Sequence, residues 1–328
     1  MKKAAQGRIT MEDIAKLAGV AKITVSRALQ DSKLVRPEVR DRVKEVARKQ
    51  GYRFNTTARN LRLQRTHSIT AVIETEPGGD RSVGEPLVQM VIGGMLSELA
   101  QARYQLVLTT RSMFEFGSAS DTDGIIVAGQ GANDETTRII KAFGLPTVVW
   151  GTPVDPDDDA VFVCSDNREG GKLVGQHLLE LGRRNIVFLG DISHPEINER
   201  AKGLRQAIGR KAKLTILPCE FTRTAGAEAM REALARLDAV DGVAGASDMI
   251  ALGAIDALRQ HRKRVPQDVA VVGYDDTASG ADLTSVRQEW VLAGATLAKK
   301  VLKVIKGEAV KSEQLPVQLI VRGSSRLT

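Results

Sequence analysis

The chain reads as a small all-α head carrying a helix-turn-helix, joined to a larger α/β body with parallel sheets. Three observations carry that reading. Residues 10–29 hold two short amphipathic stretches separated by a tight turn at Ala18, Gly19 and Val20. Charge is divided along the chain: residues 1–65 have 17 Lys+Arg against 6 Asp+Glu, and the remainder has 30 against 34. Beyond His67, apolar strand-like runs alternate with helical periodicity, a pattern that implies parallel strands joined by right-handed crossovers.

In the head, Thr10 is placed to cap the first helix, and Glu12 and Asp13 put negative charge at its positive end. Ile14, Leu17 and Ala18 form one apolar face, with Val20, Val25, Ala28 and Leu29 opposing it. Gly19 takes positive φ cheaply, so the second helix can leave at a steep angle. Lys22, Ile23, Thr24, Ser26 and Arg27 then remain outward, a small basic surface of the kind that enters a DNA major groove. A third helix is expected from Pro37 to about Lys49, closed by Gly51. Val39, Val43, Val46, Ala47 and Tyr52 complete a three-helix core. Residues 55–62 are polar and too short for a stable lone helix, with Leu61 their only large apolar side chain.

A basic head on a mildly acidic body is the footprint of a nucleic-acid module joined to something else. In the body, strands are expected at residues 68–74, 105–109, 124–128, 146–150, 185–190, 242–246 and 269–274. Helices are expected at 87–102, 170–181, 200–210, 225–236 and 250–261. Ligands of such sheets bind beyond the carboxyl ends of the strands, so residues just after each strand are the candidates.

Several function classes are disfavoured. His67, His177, His194 and His261 are isolated and fit no metal spacing, and Cys164 and Cys219 form no redox or metal motif. No nucleophile elbow or phosphate-cradling glycine loop is present, and Gly129 to Gly131 is too short for a dinucleotide fingerprint. The residues after Met1 are not apolar, and no run approaches the roughly 18 apolar residues of a membrane span. A cytoplasmic location without cofactor or metal is expected.

The stretches 11–15 (MEDIA), 18–20 (AGV), 24–29 (TVSRAL) and 51–52 (GY), with Asn55, Ala58 and Leu61, resemble the DNA-binding head of the lactose/galactose repressor family. The resemblance implies that Lys22 and Ile23 are the principal base readers, with Arg27 alongside and Thr24 and Ser26 on phosphates. Lysine suits guanine O6/N7, and isoleucine suits a thymine methyl. It also implies that residues 55–62 are a hinge that becomes helical on operator DNA. There Asn55 and Ala58 would lie against DNA and Leu61 would wedge between base pairs in the minor groove. Two positions depart from the family: Ala21 stands where a serine usually caps the second helix, a loss of about 1 kcal/mol, and Arg36 replaces the polar cap before Pro37.

The stretches 163–171, 199–203, 221–226, 246–253 and 272–276 resemble the same family's effector core in order and spacing. That implies a two-lobed, periplasmic-binding-protein-like body crossed three times by the chain. The expected division is a head at 1–54, a hinge at 55–65 and a core at 66–328. Within the core the N-lobe is about 66–160 plus 290–316, and the C-lobe about 161–289 plus 317–328. Carried over, Arg200, Phe221, Ser247, Asp248 and Asp275 face the cleft, and Gln288 and Trp290 sit at the crossover. Trp290 can equally be interface packing, Asp276 a loop cap, and Asp166 an organiser of its loop. Five departures leave the ligand open. Residues 76–86 replace a short loop, so Glu76, Asp80, Arg81 or Glu85 can shape specificity. Residues 110–124 leave room only for a truncated helix. Gly151 stands where a carboxylate is frequent, the loop at 277–284 is short, and Ser247 replaces an asparagine.

The resulting expectation is a dimeric, operator-binding transcriptional regulator, a repressor whose affinity changes when a small effector closes the lobes. The effector is a sugar, a sugar acid or a nucleobase, with Arg200, Arg287 and Arg81 keeping an anionic ligand in play. The alternatives are a cytoplasmic α/β enzyme acting on a sugar derivative with a basic appendage, and a pure solute-binding protein.

Overall fold

The computed structural model describes residues 9–29, 31–52, 65–74, 84–115, 122–154, 160–277 and 282–326. Asn55, Ala58, Leu61 and Glu76, with Asp80 and Arg81, lie outside them. The chain divides into two compact units, residues 1–66 and 67–328.

The first unit holds three helices: α1 (Met11–Ala18), α2 (Lys22–Leu29) and α3 (Pro37–Lys49). Thr10 and Asp13 form a reciprocal capping box: Asp13 N–H donates to Thr10 Oγ1 and Thr10 N–H to Asp13 Oδ2. Thr10 Oγ1 also donates to Asp13 Oδ2 at 2.6 Å, and that bond, with the one from Thr10 N–H, holds the Asp13 carboxyl below its ordinary value. Gly19 closes α1 at φ +62° and turns the chain into α2. Ile14, Val25, Ala28 and Val43 are fully buried in the core of this unit. Leu17 is not part of it, being 57% exposed. The buried arc of α1 runs through Ile14, Ala18 and Ala15, and at 100° per residue Leu17 falls about 100° from its centre. Arg36 makes no capping bond, and Pro37 opens α3.

The second unit contains two six-stranded sheets. The first has the order β11-β5-β4-β3-β1-β2, all parallel. Its strands are β1 (Ser68–Ile73), β2 (Gln105–Thr110), β3 (Gly124–Ala128), β4 (Thr147–Trp150), β5 (Val161–Ser165) and β11 (Glu313–Leu315). The second has the order β12-β10-β9-β8-β6-β7, with only β10 and β12 antiparallel. Its strands are β6 (Asn185–Leu189), β7 (Lys213–Leu217), β8 (Gly242–Gly245), β9 (Ala270–Asp275), β10 (Thr284–Gln288) and β12 (Val317–Ile320). The chain passes between the sheets after β5, after β10 and after β11. The first crossing falls later than the expected 160/161 boundary, because the apolar run 161–165 is a fully buried strand of the first sheet.

The helices of the first lobe are α4 (Pro86–Gln101), the short α5 (Arg111–Glu115), α6 (Glu135–Lys141) and α11 (Trp290–Val304). Those of the second are α7 (Asn167–Glu180), α8 (Pro195–Ile208), α9 (Arg223–Arg236) and α10 (Asp248–Gln260). Glycines let these helices approach to backbone contact. A Cβ on Gly203 would overlap the carbonyl oxygen of Arg168, and one on Gly171 that of Arg200. Gly94 and Gly294 make the same mutual approach between α4 and α11. Helix α8 starts five residues before the expected 200, with Pro195 in its first turn. Among the described residues, no helix is long and apolar enough to cross a membrane.

Candidate functional site

Two surfaces concentrate chemistry. On the head, α2 buries Val25 and Ala28 and turns its other face outward. Lys22 and Ser26 stand one helical turn apart, as do Ile23 and Arg27. Ile23 is 55% exposed although apolar, Lys22 and Arg27 are exposed, and Thr24 and Ser26 are half-buried. Lys22 Nζ approaches Glu12 at only 3.9 Å, both side chains well solvated, so the pair contributes little and the ammonium is available. The outward strip is therefore cationic at both ends and apolar between, fitting a groove floor that carries acceptors and methyl groups.

The second surface is a cavity of about 420 Å³ where the carboxyl ends of the strands of both sheets meet. Of the expected residues, it is lined by Arg200, Phe221, Ser247, Asp248, Asp275 and Gln288, and by Trp290. Arg200 is 6% exposed and projects from α8, whose close approach to Gly171 sets its backbone. Its guanidinium lies 3.6 Å over the ring of Tyr274. Its Nε donates to Asn167 Oδ1 at 2.8 Å, its Nη1 to the Ala246 carbonyl at 2.5 Å, and Asp275 Oδ1 stands 3.9 Å from Nη1. Asp275 Oδ1 also accepts from Gln288 Nε2 at 2.7 Å. Ser247 caps α10, accepting from the Ile250 N–H, and its own O–H can still donate. Phe221 packs edge-on against His194.

Asp248 faces the cavity as expected and is also bonded within the protein. Its Oδ1 accepts from Ser285 Oγ at 2.5 Å and Oδ2 from the Thr277 N–H at 2.8 Å. It holds the loop after β9 in place. Asp276 takes Arg287 and Arg322, each at 2.7 Å, so Arg287 is paired away from the cavity. Asp166 caps α7 by accepting from the Glu169 N–H.

Further lining residues went unnamed in the sequence reading: Glu74, Gln130, Trp150, Ser165, Asn167 and Glu196. The first four end or directly follow β1, β3, β4 and β5, which is the signal that the strand-end rule supplies. Trp150 and Trp290 are the chain's two tryptophans, and their rings lie 5.5 Å apart at 56°. Gln130 donates to Asp134 Oδ1 and to the Thr152 carbonyl, both at 2.8 Å. A Cβ at Gly151 would overlap that amide, which accounts for the glycine where a carboxylate was expected. Cys164 also lines the cavity, and burial pushes its thiol up to about 11. Among the described residues, no cluster of three or more His, Cys, Asp or Glu could hold a metal ion.

The arrangement offers aromatic faces, a buried planar cation and carboxylate acceptors around one cavity. Apolar walls with a few convergent polar groups are what a small polar organic ligand needs for orientation.

Both units of the chain match known protein families. Residues 10–55 match the family described as bacterial regulatory proteins, lacI family. Residues 176–325 match the periplasmic binding protein-like domain. The chain is 34% identical over 336 residues to the HTH-type transcriptional regulator CelR of Thermobifida fusca, covering 97% of this chain and 98% of that protein. It is 27% identical over 337 residues to the HTH-type transcriptional repressor PurR of Mannheimia succiniciproducens, covering 96% and 98%. Among solved structures, a CelR–cellobiose complex matches with a TM-score of 0.72 at 31% identity, over 97% of this chain and 100% of that one. The lac repressor dimer bound to operator and the anti-inducer ONPF matches in fold, with a TM-score of 0.81 at 22% identity over 96% and 98%. The chain belongs to the LacI family of bacterial regulatory proteins and is a DNA-binding transcriptional regulator with a helix-turn-helix head and a periplasmic-binding-protein-like core.

Proposed function

We propose that this regulator binds a palindromic operator as a dimer, in the cytoplasm, and represses transcription until a small saccharide occupies the cavity. The observation that carries the ligand class is that both tryptophans, with rings 5.5 Å apart, line the same cavity as Arg200 and Asp275. Indole faces stack on the C–H face of a pyranose, while a carboxylate and a planar guanidinium take its hydroxyls. The CelR relative was solved with cellobiose, a ligand of the same chemistry.

In this reading the head at 1–54, the hinge at 55–65 and the core at 66–328 have separate tasks. Lys22, Ile23 and Arg27 read base edges, and Thr24 and Ser26 hold phosphates. Asn55, Ala58 and Leu61 engage the minor groove once the hinge orders on DNA, so the ordering cost is charged to binding. Arg200, Phe221, Ser247, Asp275 and Gln288, with Trp150 and Trp290, hold the saccharide. Asp248 supports them as a loop anchor.

Fluorescence anisotropy with labelled fragments from beside the protein's own gene tests the reading. One palindromic fragment should bind far more tightly than scrambled DNA, and a neutral saccharide should change that affinity. Binding indifferent to base sequence would contradict the regulator reading, and no response to any saccharide would contradict the ligand class.

A further inference from the structure

Two buried polar atoms on cavity-lining residues have no hydrogen-bond partner: Ser165 Oγ, on a residue 1% exposed, and Glu196 Oε2. A buried carboxylate oxygen without a donor is more costly than a buried neutral acceptor. Such an atom is tolerated where an incoming group supplies the missing N–H or O–H. Glu196 lies in the first turn of α8, one turn before Arg200, so both side chains face the same wall.

The charge around the cavity is one-sided. Among the described lining residues, Glu74, Glu85, Glu196, Asp248 and Asp275 are acidic and only Arg200 is basic. Arg200 is already answered by Asp275 and by its bonds to Asn167 and Ala246. Glu74 accepts from Thr136 Oγ1 at 2.5 Å and lies 3.8 Å from Arg111 Nε. Donors remain on Ser247 and Arg200, but the charge left over for a ligand is negative, in a field that a low-dielectric wall strengthens.

We propose that Glu196 is a specificity-determining residue that takes a hydroxyl of a neutral saccharide and makes the cavity reject its anionic analogues. The inference rests on the saccharide reading above and narrows it. A hydroxyl donates to Glu196 Oε2, whereas a ligand carboxylate or phosphate brings no donor and meets like charge. It runs against the sugar-acid option that the sequence left open: of the three arginines named for it, Arg287 is paired with Asp276 outside the cavity, and Arg81 lies outside the described residues.

Isothermal titration of the full-length protein with ring-matched probes tests it: glucose against glucuronate and glucose 6-phosphate, and cellobiose against its 6-phosphate. The neutral member of a pair should bind at least about tenfold more tightly than its anionic partners. Glu196→Gln keeps the shape and removes the charge, and should narrow that ratio by about tenfold, with a melting temperature in the absence of ligand no lower than that of the wild type. Glu196→Ala should weaken the neutral saccharide itself. An anionic probe that binds the wild type as tightly as its neutral partner overturns the inference, as does an unchanged ratio in Glu196→Gln; either leaves the saccharide reading standing. Binding of none of these probes removes the saccharide reading and the inference together. The wild-type ratio decides the charge claim even if a variant fails to fold.

Discussion

The indole Nε1 of Trp290 donates at 3.1 Å to the backbone carbonyl of Asp275, tying the first turn of α11 in one lobe to the end of β9 in the other. Gln288 adds a bond to the Asp275 side chain at 2.7 Å, and Ser285 Oγ accepts from the Asp276 N–H at 3.0 Å. Both aspartates carry positive φ, +109° and +53°. That backbone is unfavourable for an L-residue, and it persists because these bonds over-determine it. The acceptors that face the cavity are therefore set before a ligand arrives.

Tryptophan emission should report ligand directly. The chain has only two tryptophans and both line the cavity, so saturating saccharide should shift or quench nearly all of the indole signal. Trp150→Phe and Trp290→Phe should each retain a response from the remaining ring. Emission that ignores a ligand known to bind by calorimetry would place binding elsewhere.

Asp275→Asn should weaken saccharide binding by about tenfold or more, roughly 1.4 kcal/mol, because the carboxylate loses its charge-assisted role. Asparagine tolerates positive φ, so the loop should hold and DNA binding should persist. Asp275→Ala adds backbone strain and should also lower the melting temperature. Titration calorimetry paired with a gel shift separates the two effects.

Much of this was legible in the sequence, and what was not has a common cause. Thr10, Gly19, Pro37 and Gly51 are local punctuation, and the head helices follow from them within a residue or two. Leu17 was misplaced because an eight-residue helix has only a narrow buried arc. In the body, no element was expected over α6, α11, β5, β7, β10, β11 or β12; Trp290 was placed only at a crossover and residues 163–171 only in a family motif, although α11 and β5 are apolar and buried. Glu74, Trp150 and Glu196 reach one cavity only because sheet order brings distant strand ends together. Sheet order is a long-range property that no local pattern states.

Gly203→Ala should destabilise the core by about 1–3 kcal/mol. Its methyl would overlap the Arg168 carbonyl, and α7 and α8 would have to separate just where Arg200 is held. Differential scanning calorimetry should show a lower melting temperature, accompanied by weaker saccharide binding. Unchanged stability would mean that the two helices are not packed backbone to backbone.

Acid should weaken the core through His177. Its Nε2 lies 2.7 Å from Ser325 Oγ, which in turn lies 2.6 Å from Thr284 Oγ1. Burial lowers its pKa from the ordinary 6.5. The unfolded chain then takes the proton more readily than the folded one, so stability is full above about 6.5 and falls as pH drops toward the folded value. His177→Gln should lose less melting temperature between pH 7 and pH 5.5 than the wild type. Equal losses would assign the acid sensitivity to other groups.

The central claim is that cavity and operator communicate, and linkage makes it quantitative. The most direct measurement is the operator dissociation constant with and without saturating saccharide, together with the saccharide constant with and without saturating operator. Both ratios should equal the same factor, and that factor should differ clearly from one. Ratios of one in both directions, in a protein that binds both partners, would contradict the account.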